Sequence, residues 1–159
     1  MEVSIQQATT ELIKGLMQLY MYDFTAYLEL EVDESGLYPA YPDLDKYFDR
    51  SLTNHRSYII RHHEAIAGFA LIDILDGERD ADYYMAEFFV MKRHRRHQVG
   101  RQAAEKIFEA HPGRWLVSQL KTNLPATAFW RSVIHQSTQG QYEELAEPSA
   151  RNITQRFKI

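Results

Sequence analysis

Residues 92–101 read Lys-Arg-His-Arg-Arg-His-Gln-Val-Gly-Arg, with five cations, two histidines and no acid. An aromatic and apolar run, Tyr83 to Met91, precedes them, and Ala103, Ala104, Ile107 and Phe108 follow at helical spacing. The reading is strand, basic turn, helix. Amides at a helix start have no partner within the helix and lie at the positive end of its dipole, so they form an anion site. Gly100 carries no Cβ, which lets a bulky phosphate approach its backbone. Arg95, Arg96 and Arg101 add charge. The segment therefore predicts a phosphate or pyrophosphate at the start of this helix and leaves its carrier open. It is not a Walker loop, because no Gly-Lys followed by Ser or Thr is present, and the dinucleotide Gly-rich fingerprint is absent.

Glu87 is the second candidate, as the one charged residue of the run 83–91. Strict alternation puts it on a face with Tyr83, Met85, Phe89 and Met91. Burial among such neighbours raises a carboxyl pKa. A base of that kind takes a proton from an amine, directly or through water. The competing reading is a structural carboxylate paired with an arginine or an amide.

The elements that must position these groups follow from periodicity. Val3 and Ile5 predict a short strand, and Thr9 or Thr10 then caps a helix whose inner face holds Leu12, Leu16, Leu19 and Tyr20. Gly36, Pro39 and Pro42 make residues 32–43 a loop. Asp43 caps a second helix to about Thr53, with Leu44, Tyr47, Phe48 and Leu52 facing inward. Strands are predicted over 58–61 and 66–74, joined by a turn at His63–Glu64, and again over 83–91 and 115–120. Helices are predicted over 100–110 and from Asn123 to about Ile134, with Pro125 in the first turn of the latter. Ile153 and Phe157 supply one or two last strands. This order predicts one mixed α/β domain over 1–159.

Composition bounds the answer. At 159 residues the chain is long enough for one core without staples. No cysteine is present, which excludes disulfides, thiolate metal sites and a cysteine nucleophile. The net charge of −4 argues against bulk nucleic-acid binding. No apolar run reaches the roughly 20 residues of a membrane helix. The start, Met-Glu-Val-Ser-Ile, lacks a basic region followed by an apolar one, so the expected location is cytoplasmic. Residues 1–55 carry ten acids against three bases, which favours a cationic partner there.

Two segments also resemble a known family. Arg95-Arg96-His97-Gln98-Val99-Gly100 is similar to the acyl-CoA-binding motif of the GNAT superfamily of N-acetyltransferases, in which Arg or Gln, two residues, Gly, one residue, then Gly or Ala follow in order. Gln98 stands in place of the first glycine. In that family an Asn, an Ala three residues on and an aromatic pair follow the next strand, and Asn123, Ala126, Phe129 and Trp130 have that spacing. The resemblance covers nearly the whole chain in element order. It implies the GNAT acyl-CoA N-acyltransferase fold, a mostly antiparallel sheet with one splayed strand pair between helices.

The resemblance also implies roles. The co-substrate is acetyl-CoA, with no metal. Its pantetheine arm lies against Phe89, Val90 and Met91. Its pyrophosphate rests on the amides of Arg96, His97, Gln98, Val99, Gly100 and Arg101, with Arg95 beside them. Asn123 bonds the arm, in a wall completed by Ala126, Phe129 and Trp130. Glu87 is the base. The acetyl group passes directly to a primary amine, either a cationic small molecule or a lysine side chain. Trp130 stands where the family commonly has a tyrosine acid, and an indole releases no proton near neutrality. Tyr83 and Tyr84 are candidate substitutes. The alternative reading is a non-catalytic acyl-CoA-binding module on the same fold. The histidines at 62, 63, 94 and 97 lack a carboxylate at ligand spacing and imply no metal. The segment Tyr38-Pro39-Ala40-Tyr41-Pro42 reads as an ordered loop rather than a proline-recognition ligand, and its place between the first two helices, which matches the family's acceptor-side loop, makes a lid the second reading. Exposed aromatics leave a homodimer contact and a lid equally open.

Overall fold

The computed structural model describes residues 2–159. Ten regular elements follow the chain: β1 (Val3–Gln7), α1 (Thr10–Phe24), β2 (His55–His62), β3 (Ala65–Ile74), β4 (Tyr83–Val90), α2 (Val99–Ala110), β5 (Arg114–Leu120), α3 (Leu124–Thr138), β6 (Tyr142–Leu145) and β7 (Asn152–Lys158). The strands form one sheet in the order β1-β2-β3-β4-β5-β7-β6. Each neighbouring pair is antiparallel except β4 and β5.

The sheet has an apolar layer on each face because its strands alternate. Ala70 and Ile72 of β3 join Met85, Trp115 and Val117 under α2 and α3, where Ile107, Phe108, Val133 and Ile134 are buried. Phe69 and Leu71 point to the opposite face and pack with Ile59 and Phe89 under α1. In α1 the buried stripe is Ile13, Leu16 and Met17. The expected stripe through Leu12, Leu16 and Leu19 is therefore rotated, and Leu19 is exposed. Thr9 sits at the N-cap of α1 in extended conformation without a side-chain cap bond.

The helix expected from Asp43 to Thr53 is absent. One short 3₁₀ turn, Leu44–Tyr47, stands in its place, and Asp43 adopts a left-handed φ of 54°. Asp49 explains the stop: its Oδ1 accepts from both the amide and the hydroxyl of Ser51, a local turn that competes with helix hydrogen bonds. The burial of Leu44 and Tyr47 still follows the apolar spacing.

A bulge interrupts β4. Leu71 pairs with Glu87 and Ile72 with Met85, so Ala86 has no partner on β3. The extra residue inverts the alternation. Tyr83 and Met85 belong to the α2/α3 face, whereas Ala86, Phe89 and Met91 pack on the α1 face. Glu87 therefore shares a face with Phe89 and Met91, and the expected company of Tyr83 and Met85 is corrected by the bulge. No helix among the described residues is long and apolar enough to cross a membrane.

Candidate active site

β4 pairs with β5 only from Tyr83 to Met85. Beyond Met85 the two parallel strands separate, and the β5-facing edge of β4 from Ala86 to Val90 has no strand partner. Phe89, Val90 and Met91 lie on this open stretch or at its end. A gap of this shape holds an extended chain against backbone donors and acceptors.

The basic turn closes one end of the gap. Arg96 and Gln98 both have φ of 62°, and Val99 starts α2 directly after them. The left-handed position at Gln98 explains why a glycine suits it, and a side chain there is tolerated at a cost of about 1–2 kcal/mol. The first hydrogen bond into α2 runs from the Gln102 amide to the Gln98 carbonyl. No amide from Arg96 to Arg101 donates to another group among the described residues. Six consecutive donors at a helix start thus remain open. A Cβ at Gly100 would meet two ring carbons of Phe129 at 3.2 Å and Val90 at 3.6 Å. Glycine here lets α2 approach α3 closely.

The arginines of the turn divide their work. Arg95 donates through Nε to the Val90 carbonyl at 2.7 Å and through its terminal nitrogen to Asp23 at 2.6 Å. Its guanidinium also lies over the Phe89 ring. It fastens the turn to the end of α1, and Lys92 adds a longer contact to Asp23. Arg101 pairs with Glu105 one helical turn on. Arg96 has no ion pair among the described residues. His97 and His94 face the β2–β3 turn, where His62 Nδ1 lies 3.2 Å from His94 Nδ1.

Across the gap, Asn123 caps α3 by accepting from the Ala126 amide at 3.1 Å. Phe129 stacks on Phe88. Trp130 is buried, in edge contact with Phe88 and packed near Phe108. Phe129 and Trp130 thus reach β4 through Phe88, on the sheet face opposite Glu87, while Asn123 and Ala126 form the capped start of the same helix.

Glu87 is held by two tyrosines. Tyr20 of α1 donates to Oε2 at 2.5 Å, and Tyr41 of the 32–43 loop donates to Oε1 at 2.9 Å. Burial pushes the Glu87 carboxyl up, Asp73 adds to that, and the two hydroxyl bonds oppose it. Burial and then the Glu87 charge push both tyrosines far above their ordinary range, so they remain protonated donors. Tyr83 and Tyr84 part company: Tyr83 packs on His111 and Trp115, and Tyr84 lies under Arg79.

Tyr20 and Tyr41 were not legible as site residues. Tyr20 occupies a core-facing helical position, and Tyr41 lies in a loop 46 residues from its partner. The Tyr38-to-Pro42 segment is anchored by Gln18, whose side chain both donates to the Tyr38 carbonyl and accepts from its amide. Tyr41 also lines an open groove of about 1070 Å³ between α1 and residues 33–55. Asp33, Asp43, Asp45 and Asp49 line the same groove, with Lys14 and Lys46. Among the described residues no group of three His, Asp or Glu side chains is placed to hold a metal.

The family model for acetyltransferases of the GNAT family matches residues 15–133. The chain belongs to the GNAT acetyltransferase family. A GNAT sheet flanked by helices also recurs in solved structures. An acetyltransferase from Thermus thermophilus superposes with a TM-score of 0.70 at 16% identity, covering 100% of this chain and 98% of that one. The PaiA N-acetyltransferase from Thermoplasma acidophilum, solved with coenzyme A, gives 0.64 at 11% identity, covering 100% of both. An acetyltransferase from Bacillus anthracis, solved with acetyl coenzyme A, gives 0.57 at 14% identity, covering 99% of this chain and 100% of that one. At these identities the likeness is one of fold. A comparison of the sequence with curated proteins finds no match.

Proposed function

We propose that this GNAT acetyltransferase moves the acetyl group of acetyl-CoA directly to a primary amine that carries positive charge. One observation carries the reading: a partly buried carboxylate, Glu87, stands on the strand whose edge opens beyond Met85 and ends in six free helix-start amides. The relatives solved with coenzyme A and acetyl coenzyme A support the choice of co-substrate.

The residues fit that co-substrate in parts. The amides of Arg96 to Arg101 suit a pyrophosphate, with Arg96 free to add charge. The open edge of β4 suits the amide-bearing pantetheine arm, and the unfilled side-chain nitrogen of Asn123 offers a further donor. An amide of the same edge stabilises the oxyanion that forms when the amine attacks the thioester carbonyl. The C–N bond forms and the C–S bond breaks. Glu87 takes the proton released by the amine, and the weakly basic thiolate leaves without needing an acid from Trp130. Holding the two reactants together supplies much of the rate. The acids lining the groove concentrate a cationic acceptor.

A panel of amines tested for CoA release checks this reading. Cationic amines should be the best acceptors, and kcat/KM should fall with salt as exposed charges are screened. Anionic or neutral amines as best acceptors, without salt dependence, would remove the charge argument. The buried Trp130 favours one rival, a binding module without turnover. Tight acetyl-CoA binding with no CoA release for any amine would establish that rival.

A further inference from the structure

His55 lines the groove between α1 and residues 33–55 and is held in one orientation. Its Nδ1 is 3.1 Å from Asp73 Oδ1, which also accepts from the Tyr47 hydroxyl at 2.6 Å. The Tyr47 ring meets the imidazole edge-on at 5.1 Å. A carboxylate only accepts, so the proton of the neutral ring sits on Nδ1 and the lone pair on Nε2. Nε2 has no partner among the described residues, and His55 lines the groove together with Tyr41, Asp45 and Asp49. With the ring neutral, the structure thus holds an oriented hydrogen-bond acceptor in the groove. Tyr41, which lines the same groove, is bonded to Glu87.

The strand register sets the spacing. His55 pairs with Asp73 and Asp73 with Tyr84, while Glu87 pairs with Leu71. His55 is therefore two strands across and two residues along from Glu87. Strand spacing of about 4.8 Å and a rise of about 3.3 Å per residue put their backbones roughly 12 Å apart.

The geometry points to His55 as a specificity-determining residue that receives a second hydrogen-bond donor of the acceptor, an ammonium or hydroxyl several bonds from the reacting amine. The assignment rests on the transferase reading above. It narrows the acceptor class from cationic amines to elongated amines with a donor at the far end. Asp73 is a positioning residue here, because it acts through the His55 tautomer.

A length series tests it, from ethylenediamine to octamethylenediamine, each against the alkylamine of equal length. The wild-type protein should show an optimum at an intermediate length, and a diamine preference there of about tenfold or more in kcat/KM, the worth of one hydrogen bond to a charged group. His55→Phe keeps the ring against Tyr47 and removes Nε2. It should abolish that preference through KM while leaving kcat and the alkylamines unchanged. Asp73→Asn donates to Nδ1 and moves the proton to Nε2, so it should abolish the same preference through KM, while its pH profile of kcat shifts because the Asp73 charge no longer raises the Glu87 carboxyl. Thermal protection by the diamine, read without turnover, should be lost in both variants. Equal rates for diamine and alkylamine in the wild type, or equal losses on both in His55→Phe, overturn the assignment while the transferase reading stands. No CoA release with any amine overturns both.

Discussion

Gly68 of β3 is paired with Val90 of β4, and a Cβ there has nowhere to go. It would stand 1.9 Å from the Phe89 carbonyl oxygen, 2.9 Å from its carbon and 3.0 Å from Val90 Cα. All three neighbours are backbone, so no rotamer relieves the contact. Carbon and carbonyl oxygen approach to about 3.3 Å at the closest, so β4 must retreat by roughly 1.4 Å. Overpacking of this kind costs about 1–3 kcal/mol, and the upper end applies where only strand movement relieves it. For a chain of this size that lowers Tm by about 6–12 °C. The displaced segment carries Glu87 and the open edge, and a misplacement near 1 Å costs about 10²-fold in rate. Gly68→Ala should therefore lose stability and kcat/KM together, read by calorimetry and by CoA release at a temperature where the variant is folded. Gly15→Ala is the control. Nothing lies within 4 Å of a Cβ at Gly15 in α1, and removing a helix-interior glycine gains about 1 kcal/mol. Its kinetics should not move. A Gly68→Ala protein with wild-type kcat/KM would refute the claim that the position of β4 sets the rate, whatever its Tm.

Three further outcomes are expected. Glu87→Gln should lower kcat by about 10²–10⁴-fold with little change in acetyl-CoA affinity, and, because a raised folded pKa makes the ionised form a burden at neutral pH, it should raise Tm there; wild-type turnover would return Glu87 to a structural role. At Gln98, with φ of 62°, Gly should leave stability within about 1 kcal/mol or raise it, while Val should lower it by about 1–2 kcal/mol; equal Tm values for the two would show the left-handed turn is not populated in solution. Burial and neighbouring cations, with His63, His94 and His97 around His62 and Arg93 and His97 around His94, hold both imidazoles below their ordinary value, so the unfolded chain takes up protons first. Stability should fall as pH drops from about 6.5 toward the lower folded values, and His62→Asn should flatten that slope.

The parts of the fold that were readable are those governed by local periodicity. Tyr83 to Val90, Val99 to Ala110 and Leu124 to Thr138 emerge within a residue or two at their starts, because each has an unbroken stripe and a clear stop such as His111-Pro112-Gly113. Asn123 caps as expected for the same reason: capping joins a side chain to an amide three residues away. The segment after Asp43 failed because a stripe of Leu44, Tyr47, Phe48 and Leu52 is equally served by one 3₁₀ turn. The choice lay with Asp49 and Ser51, whose hydrogen bonds leave no mark in the apolar pattern. The site was half legible for a parallel reason. The basic turn announces itself by composition. The partners of Glu87 come from α1 and a loop, 67 and 46 residues away, and no local rule connects them.

The bulge at Ala86 shows how one unpaired residue builds two features of the site at once. Had alternation continued from Met85, Glu87 would point to the α2/α3 face, among Phe108, Trp130 and Val133. An ionised carboxylate there would meet mostly apolar rings, and burying it poorly paired costs several kcal/mol. With Ala86 inserted, Glu87 turns to the α1 face, where Tyr20 and Tyr41 satisfy one oxygen each. The same insertion bends and twists the strand, as bulges do, at the point where pairing with β5 stops. The open edge of β4 and the orientation of Glu87, the proposed base, are thus products of a single local deformation. Composition shows neither, because Ala86 is an ordinary strand residue. The register between β3 and β4 shows both.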